Sequence, residues 1–135
     1  MEWAILFVVF DLIALALLLS RSDRVPAETA AKHLRDGALV IDVRMPLEYA
    51  ASHLPNAVNI PVTGIGELVP MRIRNRKQVI LLYGQLGLRA EIARRMLTSL
   101  GYSNAYNLGS FGRASLITGG GKMRFNAFPV HAPSR

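Results

Sequence analysis

Residues 39–61 read LVIDVRMPLEYAASHLPNAVNIP, and this stretch decides the fold. The run from Ala38 to Val43 is apolar apart from one acid, which is typical of a parallel strand covered on both faces. Pro46 then suits the first turn of a short helix, and Ala57 to Ile60 predict a second brief extended segment. A buried strand followed by a helical turn and another strand indicates an α/β domain.

The flanking sequence continues this alternation. Residues 79–83 (VILLY) predict another buried strand, followed by a glycine-containing loop, an amphipathic helix from about Leu88 to Leu100 and a short strand from Asn104 to Asn107. We expect Gly64 and Gly66 to interrupt the segment between the two halves. Upstream, a helix is predicted from the apolar spacing of Ala27, Ala30, Ala31 and Leu34, with Gly37 ending it. The expected fold is a small parallel sheet flanked by helices.

Composition limits the chemistry that this chain can perform. The sequence contains no cysteine, which excludes disulfides, thiolate metal sites and cysteine nucleophiles. Residues 1–20 carry Glu2 and Asp11 and no basic residue, so all sixteen Lys and Arg residues lie downstream with the remaining seven acids. That excess of positive charge predicts an anionic neighbour, which lipid headgroups, nucleic acid or an acidic protein would each supply.

The first residues predict a transmembrane helix. Trp3 to Leu19 is apolar except for Asp11, and its length lies at the lower limit for crossing a bilayer. Basic residues follow it, so the positive-inside rule predicts an outside N-terminus and a cytoplasmic domain, as in a bacterial inner membrane. A cleaved signal peptide is the alternative, because Ala14 to Ala16 resembles a cleavage site, although a basic n-region is missing.

One face of this helix predicts a partner contact. Small residues beside a polar one suit close helix packing, and an intramembrane carboxyl usually faces a partner helix or a cavity. The alternative is that the carboxyl lies in a thinned, hydrated part of the bilayer. The face comprises Ala4, Phe7, Asp11, Ala14 and Leu18.

The predicted organisation has four parts. Residues 1–20 form the transmembrane helix, 21–26 a linker, 27–118 the globular domain, and 119–135 a basic tail rich in glycine and proline.

The motifs in the domain closely resemble those of the rhodanese-like family. The first half matches in Asp42-Val43-Arg44, Glu48-Tyr49, His53 with Pro55, Ala57 and Asn59-Ile60-Pro61. Residues 79–109 (VILLYGQLGLRAEIARRMLTSLGYSNAYNLG) resemble the family's strand, active loop, helix, Gly-Tyr turn and final strand. The resemblance implies the rhodanese fold and, in members with the full motif, sulfur transfer through a cysteine persulfide.

The loop after the second buried strand departs from that pattern. The resemblance places the family's cysteine at Gly84, its glycine at Gly87 and its arginine at Arg89, while Ala90 replaces the usual hydroxyl residue. No other residue of this chain is both soft and nucleophilic enough to carry sulfur. We therefore expect no catalytic residue. Downstream, the family's Gly-Gly and tryptophan-bearing helix are replaced by Gly109-Ser110-Phe111-Gly112, so a shorter or differently packed helix is expected.

The same loop predicts an anion site that needs no thiol. Backbone N–H groups of a glycine-containing turn at a helix N-terminus, with an arginine beside them, suit an anion or a partner's carboxylate. The alternative is a turn that merely ends the strand. The predicted site residues are Gly84, Gln85, Leu86, Gly87, Leu88 and Arg89.

Other polar residues favour structural roles. Arg44 is expected to pair with Asp42 or Glu48, and His53 to make a loop hydrogen bond, since no second ligand stands at metal-binding spacing. No metal or cofactor is predicted. A basic cluster favours anionic headgroups over nucleic acid, because no aromatic residues interleave with it. The cluster comprises Arg72, Arg74, Arg76 and Lys77.

The sequence thus predicts a non-catalytic, membrane-anchored rhodanese-like module that serves as an accessory subunit of a membrane protein complex. Two alternatives remain: a sulfurtransferase-related enzyme that uses a partner's cysteine, and a small-anion sensor that uses the loop from Gly84 to Arg89.

Overall fold

The computed structural model describes residues 2–22 and 24–119. Within these ranges the strands are β1 (Leu39–Asp42), β2 (Val58–Asn59), β3 (Ile80–Gly84) and β4 (Ala105–Ser110). The helices are α1 (Glu2–Ser22), α2 (Ala27–Arg35), α3 (Pro46–Ala51), α4 (Ile65–Arg72), α5 (Leu88–Ser99) and α6 (Phe111–Ile117). A short 3₁₀ turn, Val62–Gly64, precedes α4.

The strands form a four-stranded, wholly parallel sheet in the order β2-β1-β3-β4. Asp42 at the end of β1 is paired with Tyr83 on β3, so the carboxyl ends of the two central strands lie side by side. Ligands of open parallel sheets bind outside these carboxyl ends. The fold therefore directs attention to the segments that follow Asp42 and Gly84.

Alternation along the central strands divides the core into two layers. Ile80 and Leu82 pack with α4 and α5 on one face, while Leu81 and Tyr83 pack with α2 and α6 on the other. All four side chains are fully buried. Both faces are covered, which explains why the strands read as uninterrupted apolar runs rather than as alternating ones.

The predicted α/β fold, with a small parallel sheet flanked by helices, is confirmed. The helix predicted from Leu88 ends at Ser99, and β4 continues to Ser110, beyond the predicted end at Asn107. The predicted interruption at Gly66 is wrong, because that residue lies inside α4. A glycine costs a helix interior only about 1 kcal/mol, which the burial of Ile65 and Val69 offsets.

The predicted transmembrane segment is corrected by the structure. In the ranges that the structure describes, no helix has both the length and the apolar character needed to cross a bilayer. A helix over the apolar run, residues 3–19, is only about 26 Å long, against roughly 30 Å of hydrocarbon, and Asp11 interrupts it. The predicted single-pass localisation, with an outside N-terminus and a cytoplasmic domain, is therefore wrong.

The N-terminal residues instead form the long helix α1, which is exposed over residues 2–18 and extends two residues into the predicted linker. The predicted contact face lies on α1, and its side chains are exposed. Because the transmembrane helix is not found, the predicted contact inside the membrane is withdrawn as well. That face comprises Ala4, Phe7, Asp11, Ala14 and Leu18. After the helix, Arg24 forms a parallel bridge with Asn107 on the outer edge of β4, which fixes the start of the domain.

Candidate functional site

The candidate site begins where β3 ends. Gly84 is the last residue of the strand and is buried, and after three intervening residues the chain enters α5 at Leu88. Gly87 turns the chain with a φ of +91°, a conformation that favours glycine. It also serves as the N-cap of α5 without a side-chain hydrogen bond, so the first turn of α5 keeps its backbone N–H groups for other acceptors.

Gly84 faces this first turn directly. A Cβ atom on Gly84 would lie 3.6 Å from the backbone nitrogen of Ala90 and 3.7 Å from a methyl of Val43, which are ordinary van der Waals distances. The backbone of Gly84 does not need the left-handed region. A Cβ atom at this position therefore fits beneath the N-terminus of α5 without strain.

A buried ion pair fixes the neighbouring segment after β1. The Arg44 guanidinium donates from Nη2 to Asp42 Oδ2 at 2.8 Å, and the Arg44 backbone N–H donates to Asp42 Oδ1 at 2.9 Å. Hydrogen bonding to Asp42 raises the pKa of Arg44, against the effect of burial. Arg44 Nη1 also donates to Gln85 Oε1 at 3.2 Å, so this pair reaches into the loop.

A second ion pair joins α3 to α5. Arg89 Nη1 and Nη2 donate to Glu48 Oε1 and Oε2 at 2.8 and 2.9 Å. Glu48 Oε1 also accepts the Met45 backbone N–H at 3.1 Å. The Arg89 bonds first, and then the Met45 bond, lower the pKa of Glu48 to about 2. Arg89 is thus held beside the loop with its guanidinium turned toward Glu48.

Tyr83 connects the site to the opposite core layer. Its hydroxyl accepts the Leu54 N–H at 3.1 Å, and burial raises the pKa of its phenol well above the usual range.

The Arg44 guanidinium lies 4.6 Å from the centre of the Phe111 ring, a cation–π contact. These contacts hold Arg44 on all sides, which favours a structural role.

A third arginine approaches the loop from the edge strand. Arg24 Nη2 lies 3.5 Å from the Leu86 carbonyl oxygen, and its Nε is buried and has no hydrogen-bond partner among the described residues. Gly109 has a φ of +93°, and a Cβ there would lie 3.1 Å from both Arg24 Cδ and Arg113 Cδ. A side chain at this position would be strained by the φ angle and tightly placed between these two arginines. Burial and the charge of Arg24 lower the pKa of Arg113.

The family model described as Rhodanese-like domain matches residues 26–111, which is more than half of the chain. The chain belongs to the rhodanese-like family. Thiosulfate sulfurtransferase PspE of Escherichia coli is 31% identical over 69 residues, covering 51% of this chain and 66% of that protein, slightly under two thirds. Thiosulfate sulfurtransferase GlpE of Pseudomonas fluorescens is 28% identical over 90 residues, covering 67% of this chain and 81% of that protein.

A solved structure agrees with this assignment. The structure described as a rhodanese with anions from E. coli superposes with a TM-score of 0.55 at 26% identity, covering 56% of this chain and 89% of that one. The relatives named here are sulfurtransferases or rhodaneses. This rhodanese-like chain contains no cysteine, and glycine occupies the end of its third strand.

The rhodanese-like fold brings the predicted loop residues together around the N-terminus of α5. The expected pairing of Arg44 is confirmed with Asp42, and His53 makes its expected loop contacts, with Nδ1 2.8 Å from the Tyr49 carbonyl oxygen. Sequence reasoning missed the Glu48–Arg89 pair, although both residues belong to family motifs. It also missed Arg24, which precedes the family motifs.

The predicted basic cluster ends at Lys77, only seven residues before Gly84, but its contacts lie away from the loop. Arg76 packs on the Tyr102 ring and donates to the Leu100 carbonyl oxygen, while Arg72, Arg74 and Lys77 are exposed. These contacts place the cluster near the C-terminal end of α5, whereas the loop is at its N-terminal end. The cluster and the loop are therefore separate surfaces.

Proposed function

We propose that this chain is a non-catalytic rhodanese-like binding module whose loop 84–89 receives a carboxylate of a partner protein. The observation that carries the proposal is Gly84 at the end of β3, opposite the first turn of α5, in a chain without cysteine. The resemblance places the family nucleophile at this position. Persulfide chemistry requires a thiolate, and the sequence supplies none.

The loop offers hydrogen-bond donors without a reactive group. The N-terminal N–H groups of α5 carry the positive end of the helix dipole and have no side-chain cap. The E. coli rhodanese structure described as containing anions supports an anionic ligand for a site of this family. Arg89 helps to hold the loop in place but offers no unpaired positive charge to the ligand, because Glu48 accepts hydrogen bonds from both of its terminal nitrogens.

Exposed apolar side chains around the loop favour a protein partner over a small inorganic anion. Leu86 and Leu88 are 65% and 51% exposed within the loop. The segment that Arg44 and Glu48 tie to the loop adds Met45 and Leu47, which are 53% and 85% exposed. A carboxylate flanked by apolar side chains complements both properties. We call these four residues the apolar rim.

The first experiment measures thiosulfate-to-cyanide sulfur transfer by purified protein. We expect no rate above the protein-free reaction, because no residue can accept a sulfane sulfur. The Gly84→Cys variant provides the matched control, since a side chain fits at this position and restores the missing thiol. Transfer by the unaltered protein would overturn the non-catalytic assignment.

The second experiment tests the binding surface with a short leucine-rich peptide that has a free C-terminal carboxylate. We expect saturable shifts of the backbone amide resonances of residues 85–90, and binding weaker by about tenfold or more for the amidated peptide, which lacks the charge. Leu86→Ser should weaken binding, whereas Met71→Ser, an exposed residue near the other end of the domain, should not. Equal binding of both peptides contradicts the proposed site.

One alternative is that a partner supplies a cysteine at Gly84, where ordinary contact space exists for one added carbon atom. Free cysteine is a simple probe of that idea. If the domain assists an external thiol, it accelerates sulfur transfer from thiosulfate to added cysteine, and Gly84→Leu removes the acceleration by filling the space. We expect the domain to leave that rate unchanged.

A further inference from the structure

The two arginines of the family motifs supply little free positive charge to the loop 84–89. Arg44 pairs with the buried Asp42 at 2.8 Å. Arg89 donates two hydrogen bonds to Glu48, at 2.8 and 2.9 Å. Because each guanidinium already faces a carboxylate, a second carboxylate gains little from either charge. If the loop receives a partner's carboxylate, its positive charge has to come from another residue.

Arg24 reaches the loop from the side of the edge strand β4. Its Nη2 lies 3.5 Å from the Leu86 carbonyl oxygen, in a contact at the protein surface. A Cβ atom on Gly87 would lie 3.6 Å from the same nitrogen. Because Gly87 is the N-cap of α5, the guanidinium lies beside the end of the helix that carries the uncapped backbone N–H groups. A ligand that contacts the exposed Leu86 therefore meets a guanidinium and a helix N-terminus together.

The charge of Arg24 is not balanced by a carboxylate. Among the residues that the structure describes, none places a carboxylate oxygen within 4.0 Å of its guanidinium, and its buried Nε has no hydrogen-bond partner. The neighbouring Arg113 adds to the positive field, because its terminal nitrogens donate to the carbonyl oxygens of Leu108 and Val25. Burial, and then the charge of Arg24, lower the pKa of Arg113. A carboxylate beside Arg24 would offset this repulsion and accept a charge-assisted hydrogen bond.

The side chain of Arg24 is already confined in its position. Its backbone forms the parallel bridge with Asn107. A Cβ atom on Gly109 would lie 3.1 Å from Arg24 Cδ and 3.2 Å from Nε, and Gly109 has a φ of +93°. The stem of Arg24 thus packs against glycine backbone, where a larger residue would displace it. Binding of an anion therefore costs little further side-chain entropy.

From these observations we infer that Arg24 is the cation of the loop site, and that the partner's carboxylate binds beside Leu86, between Arg24 and the first turn of α5, rather than above Gly84. This inference rests on the proposed function and adds the residue that determines the preference for an anion. It places the partner's terminal residue on the side of the loop that faces the edge strand β4.

The first test uses the unaltered full chain and the leucine-rich peptide with a free C-terminal carboxylate. The titration follows the side-chain Nε–H resonances of Arg24 and Arg89 together with the backbone amides of residues 85–90. We expect the Arg24 signal to shift with the same midpoint as the amides, and to shift further than the Arg89 signal. The amidated peptide should leave the Arg24 signal in place.

The outcomes separate the two proposals. Amide shifts at residues 85–90 with an unmoved Arg24 signal overturn the inference and leave the proposed function standing. The absence of any shift at residues 85–90 overturns both.

A charge-removing pair of variants provides the second test. Arg24→Gln should weaken binding of the carboxylate peptide by about tenfold or more, whereas Arg74→Gln removes the same charge from an exposed position on a separate surface and should not. In Arg24→Gln, amidation of the peptide should cause little further loss, because the carboxylate has lost its cation. Equal affinity of Arg24→Gln and the unaltered protein contradicts the inference. If Arg24→Gln does not fold, the Nε–H titration of the unaltered chain decides.

Discussion

Arg89 and Glu48 meet through two parallel hydrogen bonds, at 2.8 and 2.9 Å, and thereby fasten the first turn of α5 to α3. This geometry is the bidentate arrangement in which an arginine fork matches both oxygens of a carboxylate. Both terminal nitrogens of Arg89 are thereby directed at Glu48. The arginine of the family motif therefore has a structural role here, because its bonds to Glu48 hold the loop in place.

The pair predicts a pH dependence. The folded-state pKa of Glu48 is about 2, below its ordinary value, so the pair stabilises the fold above that ordinary value. This contribution is lost as the pH falls from about 4.5 through about 2. We expect NMR titration of the Glu48 carboxyl carbon to give a depressed midpoint.

Arg89→Gln should move the Glu48 midpoint upward, because it removes the larger of the two causes, while the Met45 bond remains. Because Glu48 and Arg89 are each about a third exposed, the change in unfolding free energy should be small, about 1 kcal/mol or less. An unchanged midpoint in Arg89→Gln argues against the pairing.

Alanine at the two loop glycines should change stability by different amounts. Gly84→Ala places a Cβ at ordinary contact distances and should change the free energy of unfolding by roughly 0.5 kcal/mol or less. Gly87→Ala requires the left-handed region and brings a Cβ within 3.2 Å of the Gly109 backbone, and it should cost about 1–3 kcal/mol. Urea denaturation measures both, and equal losses refute the difference in local space.

The Asp42–Arg44 pair should behave as a buried pair. Arg44→Met leaves the Asp42 carboxylate buried without its partner and should cost about 3–5 kcal/mol of unfolding free energy. The double variant Asp42→Asn with Arg44→Met should lose less than the sum of the single losses, because it leaves no unpaired charge. Additive losses in denaturant titrations indicate that the two groups do not interact.

Tyr83→Phe should leave the buried Leu54 N–H without an acceptor. The expected loss is about 1–3 kcal/mol of unfolding free energy, although the ring and its packing are retained. Tyr106→Phe is the matched control, because Tyr106 is a half-buried residue of the edge strand. This variant should change stability by about 0.5 kcal/mol or less. Equal stability of Tyr83→Phe and the unaltered protein means that Leu54 finds another acceptor.

The sheet was predictable because its signals are local. β1 and β3 are apolar runs bounded by polar residues or glycine. The helix α5 comes after β3 and a short loop, and its sequence shows the 3.6-residue apolar period. Gly66 misled the prediction because tertiary burial of its neighbours in α4 outweighs the weak helix propensity of one glycine. The transmembrane prediction failed for a different reason, because the apolar composition of residues 3–19 was given more weight than the length of that run.

The site was only partly predictable, since its decisive contacts join distant residues. Glu48 and Arg89 are 41 positions apart, and Arg24 reaches Leu86 across 62. No spacing rule connects them, because their distance depends on the sheet order that places α3, the loop and the edge strand at one end. The Asp42–Arg44 pair, two residues apart, is the contact that sequence alone identified best.

The space at Gly84, beneath the first turn of α5, has a consequence for the evolution of this domain. Some glycine and cysteine codons differ by one nucleotide, and a Cβ at position 84 meets Val43, Arg89 and Ala90 at ordinary contact distances. A thiol can therefore be lost or gained at this position by a single substitution whose Cβ atom strains none of these neighbours.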